Sequence, residues 1–252
     1  MLDAVPVIDY YDAGGWGGQP PEELRHRQVV ARDIIATTLA RDTGTALRVL
    51  DVGCGDGGFL AHVATHVDDE RVRWVGVDYS EYQLAKAARL PYEFHQCDLG
   101  EGIPLPDASM DLVHAAEVIE HLSNPDLLVE ECARVLRTGG HLLLTTPNLH
   151  AWYNRLLFPA GIQPIFYETS SRSTEVGAGP LRRLKQQTLP VGHLRLFNRT
   201  ALLDLLRREG LQPVSVRGAR FHGVPPALTW LDSLFCRRPS MASILVVLAV
   251  KP

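Results

Sequence analysis

The chain has 252 residues, 46% of them hydrophobic, and a formal net charge of -4 at pH 7. That is enough to bury a sizeable core as one α/β domain without covalent staples, and the acidic balance argues against a nucleic-acid partner. Cysteines 54, 97, 132 and 236 form no CxxC pair and no cluster with histidine, so neither a disulfide framework nor a metal centre is expected, and a reducing cytoplasm is the expected compartment.

The first ten residues carry acids and a proline where a signal peptide has a basic flank and an apolar run. From Pro20, the pattern Pro-Pro-Glu-Glu-Leu predicts a helix to about residue 41, ended by Gly44. Residues 46–52 are a short apolar run of strand type that feeds a glycine turn. Helical spacing follows over 57–66, with Leu60, Val63, Ala64 and Val67 apolar. The second strand is expected over 71–78, and Ser80 with Gln83 three residues on makes a capping box for a helix through 89. Residues 92–97 and 110–115 read as the third and fourth strands. Asn124-Pro125-Asp126 caps a helix to 137 that Gly139-Gly140 terminates, and 141–146 is the fifth strand. Beyond Pro147 the rhythm breaks, and residues 148–191 hold prolines, glycines and aromatics without a sustained period. Asn198 then caps a helix to 209 closed by Gly210, with strands at 212–219 and 243–250. The last strand holds the longest apolar run, too short to cross a bilayer, so no membrane association is expected.

Strands alternating with helices at short intervals predict a doubly wound, mostly parallel seven-stranded sheet with helices on both faces and an inserted lid after strand five. The expected division is an N-terminal cap and first helix over 1–45, a ligand-binding core over 46–147, the inserted acceptor lid over 148–192 and a C-terminal helix with the last strands over 193–252.

Ligands of such sheets lie beyond the carboxyl ends of the strands, where the first glycine turn is found. Gly53, Gly55 and Gly58 satisfy G-x-G-x-x-G, a pattern that dinucleotide enzymes share. Asp51 decides against that reading. It ends the first strand two residues before Gly53, and a pyrophosphate beside its carboxylate costs on the order of several kcal/mol. A ligand with an ammonium tail and a sulfonium centre, as in S-adenosylmethionine, is favoured there instead. Asp78 closes the second strand in Gly76-Val77-Asp78-Tyr79, where a carboxylate accepts both hydroxyls of a ribose; the alternative is a cap for the next helix. Cys97-Asp98-Leu99 ends the third strand with a carboxylate for an exocyclic amine and a backbone amide for a ring nitrogen, the alternative being a turn residue. Three acids at three successive strand ends are improbable as independent turn residues.

These residues carry a resemblance. The stretch from Val49 to Gly57 resembles the first motif of class I S-adenosylmethionine-dependent methyltransferases, and Met110-Asp111-Leu112-Val113-His114-Ala115-Ala116-Glu117-Val118-Ile119-Glu120-His121-Leu122 is similar to the fourth-strand motif of the ubiquinone-biosynthesis-like branch. Gly192-His193-Leu194-Arg195-Leu196-Phe197 looks like a segment that precedes the next helix in many relatives, and Tyr10-Tyr11-Asp12 with Trp16 like an aromatic opening that folds over the cofactor. The resemblance implies methyl transfer from S-adenosylmethionine. The expected donor-site residues are Asp51, Gly53, Cys54, Gly55, Asp78, Tyr79, Asp98, Leu99, Ala115 (or Ala116) and Tyr11.

An oxygen or nitrogen nucleophile benefits from a base, and His121 and His193 are the candidates, against roles as a capping or hinge residue. Glu117 is expected to shape the site. Trp152, Tyr153, Phe158, Phe166 and Tyr167 form either an aromatic wall for a flat acceptor or the insertion's own small core. Arg172, Arg182, Arg183, Lys185 and Arg195 mark either an anionic acceptor or a solvated basic loop. The expected acceptor is a small molecule of quinone-like or secondary-metabolite type. A peptide carboxylate, an RNA base or a binding module without turnover are the alternatives, and no Asn-Pro-Pro-Tyr-type amine motif follows the fourth strand.

Overall fold

The computed structural model describes residues 24–184 and 188–252. Seven strands form one sheet in the order β3-β2-β1-β4-β5-β7-β6. β1 (Leu47–Val52), β2 (Val72–Asp78), β3 (Glu93–Gln96), β4 (Met110–Ala116) and β5 (Leu136–Pro147) are mutually parallel. β7 (Ile244–Val250) inserts antiparallel between β5 and β6 (Gln212–Ala219). The sheet is thus mostly parallel, as expected, and the order reverses between β1 and β4, which opens a crevice beyond their carboxyl ends.

Period-two alternation sorts the strand residues between two cores. Leu47 and Val49 of β1 and Leu112 of β4 face α1 (His26–Arg41) and α2 (Gly58–Val67), where Ile34, Ile35, Leu39, Leu60 and Val63 are buried. Leu50 and Val52, with Val113 and Ala115, face α4 (Pro125–Val135) and α6 (Arg199–Arg208), which contribute Leu128, Val129, Leu202 and Leu206. Asp51 and His114 continue the rows of the first face to the strand ends.

Local chemistry sets the helix starts. Ser80 Oγ accepts from the Gln83 amide to open α3 (Glu81–Ala87), Asn124 Oδ1 from the Leu127 amide to open α4, and Asn198 Oδ1 from the Ala201 amide to open α6. Each cap stands where the sequence places it. The end of α4 differs: the helix stops at Val135, and β5 begins at Leu136 instead of 141. Lys251 Nζ donates to the carbonyls of Ala133 and Leu136, at 2.7 Å each, and Arg137 joins Asp42 and Asp111, which holds this stretch extended beside β4. The helix expected from Pro20 is described from His26; residues 1–23, with Tyr11 and Trp16, lie outside the described residues.

Residues 220–242, which carried no expectation, contain α7 (Thr229–Cys236). It packs on β6 at Gly218, where a Cβ would lie 2.4 Å from both Ala242 Cβ and the Cys236 carbonyl oxygen. Backbone cannot yield there as a flexible side chain can. Gly218→Ala is expected to destabilise the chain by about 1–3 kcal/mol, the ordinary cost of overpacking, read as a lowered midpoint in urea; an unchanged midpoint refutes the close approach.

Residues 148–192 contain α5 (Asn154–Leu157) and a 3-10 turn at Gly179–Leu184. Buried Asn148 starts the segment by donating to the carbonyls of Ala242 and Pro239 and accepting from the His150 amide. Glu168 ends it, its carboxylate accepting from the amides of Val191, Gly192 and His193 at 2.9, 2.7 and 3.0 Å. Among the described residues no helix is long and apolar enough to cross a membrane.

Candidate functional site

The turn after β1 is held open by its own backbone. The Gly53 and Cys54 amides donate to the Val77 carbonyl, and Gly53, Gly55 and Gly57 have φ of +72°, +56° and +74°, a region that excludes most side chains. A Cβ on Gly55 would meet nothing within 4 Å, so the main chain itself faces open space there. Asp78 Oδ2 accepts from the Gly55 amide at 2.8 Å and Oδ1 from the Ser80 amide at 2.9 Å. The capping alternative therefore holds in part. Yet a carboxylate offers about four acceptor positions, and two remain for a ligand. Burial pushes the Asp78 carboxyl above its ordinary value, against the lowering by the Ser80 and Gly55 amides.

Asp51 is buried, and its Oδ1 lies 2.7 Å from His114 Nδ1. The two residues are direct cross-strand partners in the β1–β4 ladder. His114 also lies against Phe59, and its Nε2 has no hydrogen-bond partner among the described residues. Asp98 is exposed, with Oδ1 accepting from the Gly100 amide, so it is a turn residue that also presents a carboxylate to the crevice. Cys54 is buried, its thiol raised above the ordinary range first by desolvation and then by Asp51 and Asp78, which makes it inert packing. Ala115 points into the core facing α4 and α6, and it is Ala116 that reaches the cavity wall.

One cavity of about 1370 Å³ joins these residues to the segment after β5. Asp51, Gly53, Cys54, Gly55, Asp78, Tyr79, Asp98 and Leu99 line one end. Trp152, Leu156, Phe166, Tyr167, Leu189 and Val191 line the other, with Glu117, Glu120, His121 and His193 between. A pocket for a single drug-sized ligand is roughly 300–1,000 Å³, so this one has room for two. Trp152 and Tyr153 are buried in a small core with residues of α7, Trp152 stacked on Phe235, and both also line the cavity. Phe158 is exposed away from it. Arg172, Arg182, Arg183 and Arg195 are exposed and do not line it, which is the solvated alternative, and Lys185 lies outside the described residues. Arg25 and Arg27 of the first helix region line the cavity instead, and Arg27 Nε lies 3.7 Å from Glu117 Oε2.

Glu117, at φ +57°, accepts from Thr145 Oγ1 at 2.9 Å and shapes the turn after β4. Three residues on, Glu120 is fully buried. Its Oε2 accepts from Thr146 Oγ1 at 2.9 Å, and its carboxyl is raised well above the usual range by desolvation and then by Glu117. The Glu120 carbonyl accepts from the amides of Leu194 and Arg195 and so brings residue 193 alongside residue 121. The two imidazoles stand 4.9 Å apart between centroids. His121 Nδ1 lies 3.2 Å from the Gly192 carbonyl and His193 Nδ1 3.0 Å from the Phe166 carbonyl. Burial, then the neighbouring His193, pushes the His121 imidazole down to about 4. The two candidate bases are thus brought together; sequence reasoning missed Glu120, which lies beside them, and His114, which partners Asp51.

The chain matches a family model described as a methyltransferase domain over residues 24–216. A probable S-adenosylmethionine-dependent methyltransferase of Mycobacterium tuberculosis is 42% identical over 215 residues, 83% of this chain and 62% of that protein. The 27-O-demethylrifamycin SV methyltransferase of Amycolatopsis mediterranei is 34% identical over 140 residues, 52% of this chain and 46% of that one. The chain thus spans less than two thirds of the length of these relatives. Among solved structures, the [4+2]-cyclase SpnF superposes with a TM-score of 0.59 at 21% identity, over 97% of this chain and 91% of that one, a likeness of fold alone. With its acids at three strand ends around an open glycine turn, the chain belongs to the class I S-adenosylmethionine-dependent methyltransferases.

Proposed function

We propose that this chain transfers the methyl group of S-adenosylmethionine to an oxygen of a small molecule with an apolar body. The continuous cavity from the acids at the strand ends to the apolar segment after β5 carries this reading, because it has room for donor and acceptor together. When bound, S-adenosylmethionine supplies an electrophilic methyl carbon on a sulfonium. Asp51 offers its charge to the cationic amino acid end, and the amides near Gly53 and Gly55 let the chain approach it closely. Asp78 accepts the ribose hydroxyls, beside Tyr79, while Asp98 and the Leu99 amide take the edge of the adenine. The carbonyl after β4 that meets the amino group is that of Ala115 or of Ala116, the latter lining the cavity.

On the acceptor side, Leu156, Phe166, Tyr167 and Val191 wall the cavity and exclude water, and His121 and His193 stand where the acceptor's proton leaves. Holding nucleophile, carbon and sulfur in line is worth roughly 7–11 kcal/mol, so these walls mainly position. Two observations favour a small acceptor over RNA or peptide: the described arginines of the insert point to solvent, and the wall is made of Leu156, Phe166, Leu189 and Val191. The relative named 27-O-demethylrifamycin SV methyltransferase supports oxygen as the acceptor atom.

Calorimetry with S-adenosylhomocysteine against NADH tests the donor: the first is expected to bind and the second not, and the reverse overturns the assignment. Asp78→Ala is expected to weaken S-adenosylhomocysteine by about 1–3 kcal/mol, since a charged acceptor is lost and the Gly55 amide is released with it; unchanged affinity removes Asp78 from the ribose. Labelled S-adenosylmethionine, incubated with small-molecule, peptide and RNA fractions, is expected to mark the first; label confined to RNA overturns the acceptor class.

A further inference from the structure

We infer that Glu120, His121 and His193 form a divalent-cation site on the acceptor side of the cavity, which takes an oxygen of the acceptor as a further ligand. One ligand atom from each of the three lies within 4.8 Å of the other two, close enough for one ion to reach all of them with small side-chain adjustments. Two independent features point to an ion. Glu120 is fully buried and lines the cavity, and its Oε1 has no hydrogen-bond partner among the described residues, although Oε2 is held by Thr146. A buried acceptor without a partner is costly, and a cation between the three residues supplies both partner and counter-charge.

The second feature is the tautomer of the two imidazoles. A carbonyl oxygen only accepts, so the Gly192 and Phe166 carbonyls require each Nδ1 to carry the proton. Each Nε2 of the neutral rings then keeps its lone pair. Imidazole N–H groups anchored on carbonyls are the arrangement that orients histidines as ligands. Glu168 adds rigidity by clamping the three amides around His193.

Two imidazoles and one carboxylate suit a first-row divalent ion such as Zn²⁺ or Mn²⁺, with positions left open for ligands from the cavity. The role of the ion rests on the methyl-transfer reading, whereas its binding does not. Methylating an oxygen breaks an O–H and an S–C bond and forms an O–C bond. The S–C electron pair stays on sulfur, leaving a neutral thioether, and the proton leaves to water. A divalent cation beside that oxygen lowers the cost of losing its proton, which favours a hydroxyl acceptor over a neutral amine.

The test uses the full chain stripped with chelator and titrated with Mn²⁺ by electron paramagnetic resonance and with Zn²⁺ by calorimetry, alongside S-adenosylhomocysteine binding on the same samples. The expected result is one ion per chain, weakened at least tenfold by Glu120→Gln and by His193→Ala, with S-adenosylhomocysteine affinity within about threefold of the parent. Co²⁺ loading supplies a second readout, because its visible bands are expected to shift in His193→Ala even if Glu120→Gln fails to fold. A stripped chain that binds S-adenosylhomocysteine but no stoichiometric ion overturns the site, as does ion binding that both variants leave unchanged. A chain that binds the ion but no S-adenosylhomocysteine overturns the donor assignment and leaves the ion site standing.

Discussion

Asp51→Asn is expected to weaken S-adenosylhomocysteine by about 1.5–3 kcal/mol, or roughly 10- to 150-fold, the range for hydrogen bonds made to a charged group. Asparagine keeps the shape of the side chain, so the turn at Gly53 should survive, but it removes the carboxylate that faces the cavity from the end of β1. It also gives His114 Nδ1 a poorer acceptor in a site where that ring has no other hydrogen-bond partner among the described residues. Because Asp51 is buried, solvent does little to screen its charge, which is why the effect should match or exceed that at Asp78. Calorimetry beside a thermal melt separates the two consequences. An affinity within twofold of the parent, in a folded variant, would show that the ligand's cationic end lies elsewhere.

The largest effect on stability is expected at Asp232, a fully buried residue of α7 that does not itself line the cavity. Its Oδ1 accepts from Trp152 Nε1 at 2.9 Å and from Ser243 Oγ at 2.6 Å, and its Oδ2 accepts from the Phe221 amide at 3.1 Å. These donors come from the segment after β5, from the start of β7 and from the loop after β6, so one side chain ties three elements to α7. Asp232→Ala leaves buried donors without partners, at about 1–3 kcal/mol each, partly offset where a donor turns to water. A net loss of about 3–5 kcal/mol follows, a lowering of Tm by roughly 10 °C in a chain of this length. A loss below 1 kcal/mol in urea would mean that all three donors find new acceptors.

Much of the crevice beyond β1 and β2 was legible because it is built from local features. The glycines of the first turn, the acids closing β1 and β2 and the caps at Ser80, Asn124 and Asn198 are each determined within a few residues. Ala115 and Ala116 show what local reading leaves open, since neighbouring side chains of a strand point to opposite faces and the register with β1 and β5 decides which of them lines the cavity. Helix α7 escaped notice because its eight residues have no side-chain N-cap, and its anchor, Asp232, is a buried acid whose partners lie 11 and 80 residues away.

The acceptor side belongs to tertiary structure. His114 meets Asp51 across 63 residues, and His193 meets His121 and Glu120 only because the Glu120 carbonyl takes the Leu194 and Arg195 amides while Glu168 gathers the turn before them. Cysteine spacing gave no hint of a metal ligand set, since the set proposed here has no cysteine and is split between the turn after β4 and the strand-like entry to α6. Local pattern was enough for the family, the mostly parallel core and the acids at the strand ends, because period-two burial and turn chemistry act over a few residues. Sheet order, the antiparallel insertion of β7 and the meeting of Glu120, His121 and His193 were decided only on folding, because packing and long-range hydrogen bonds choose among the arrangements that local pattern allows.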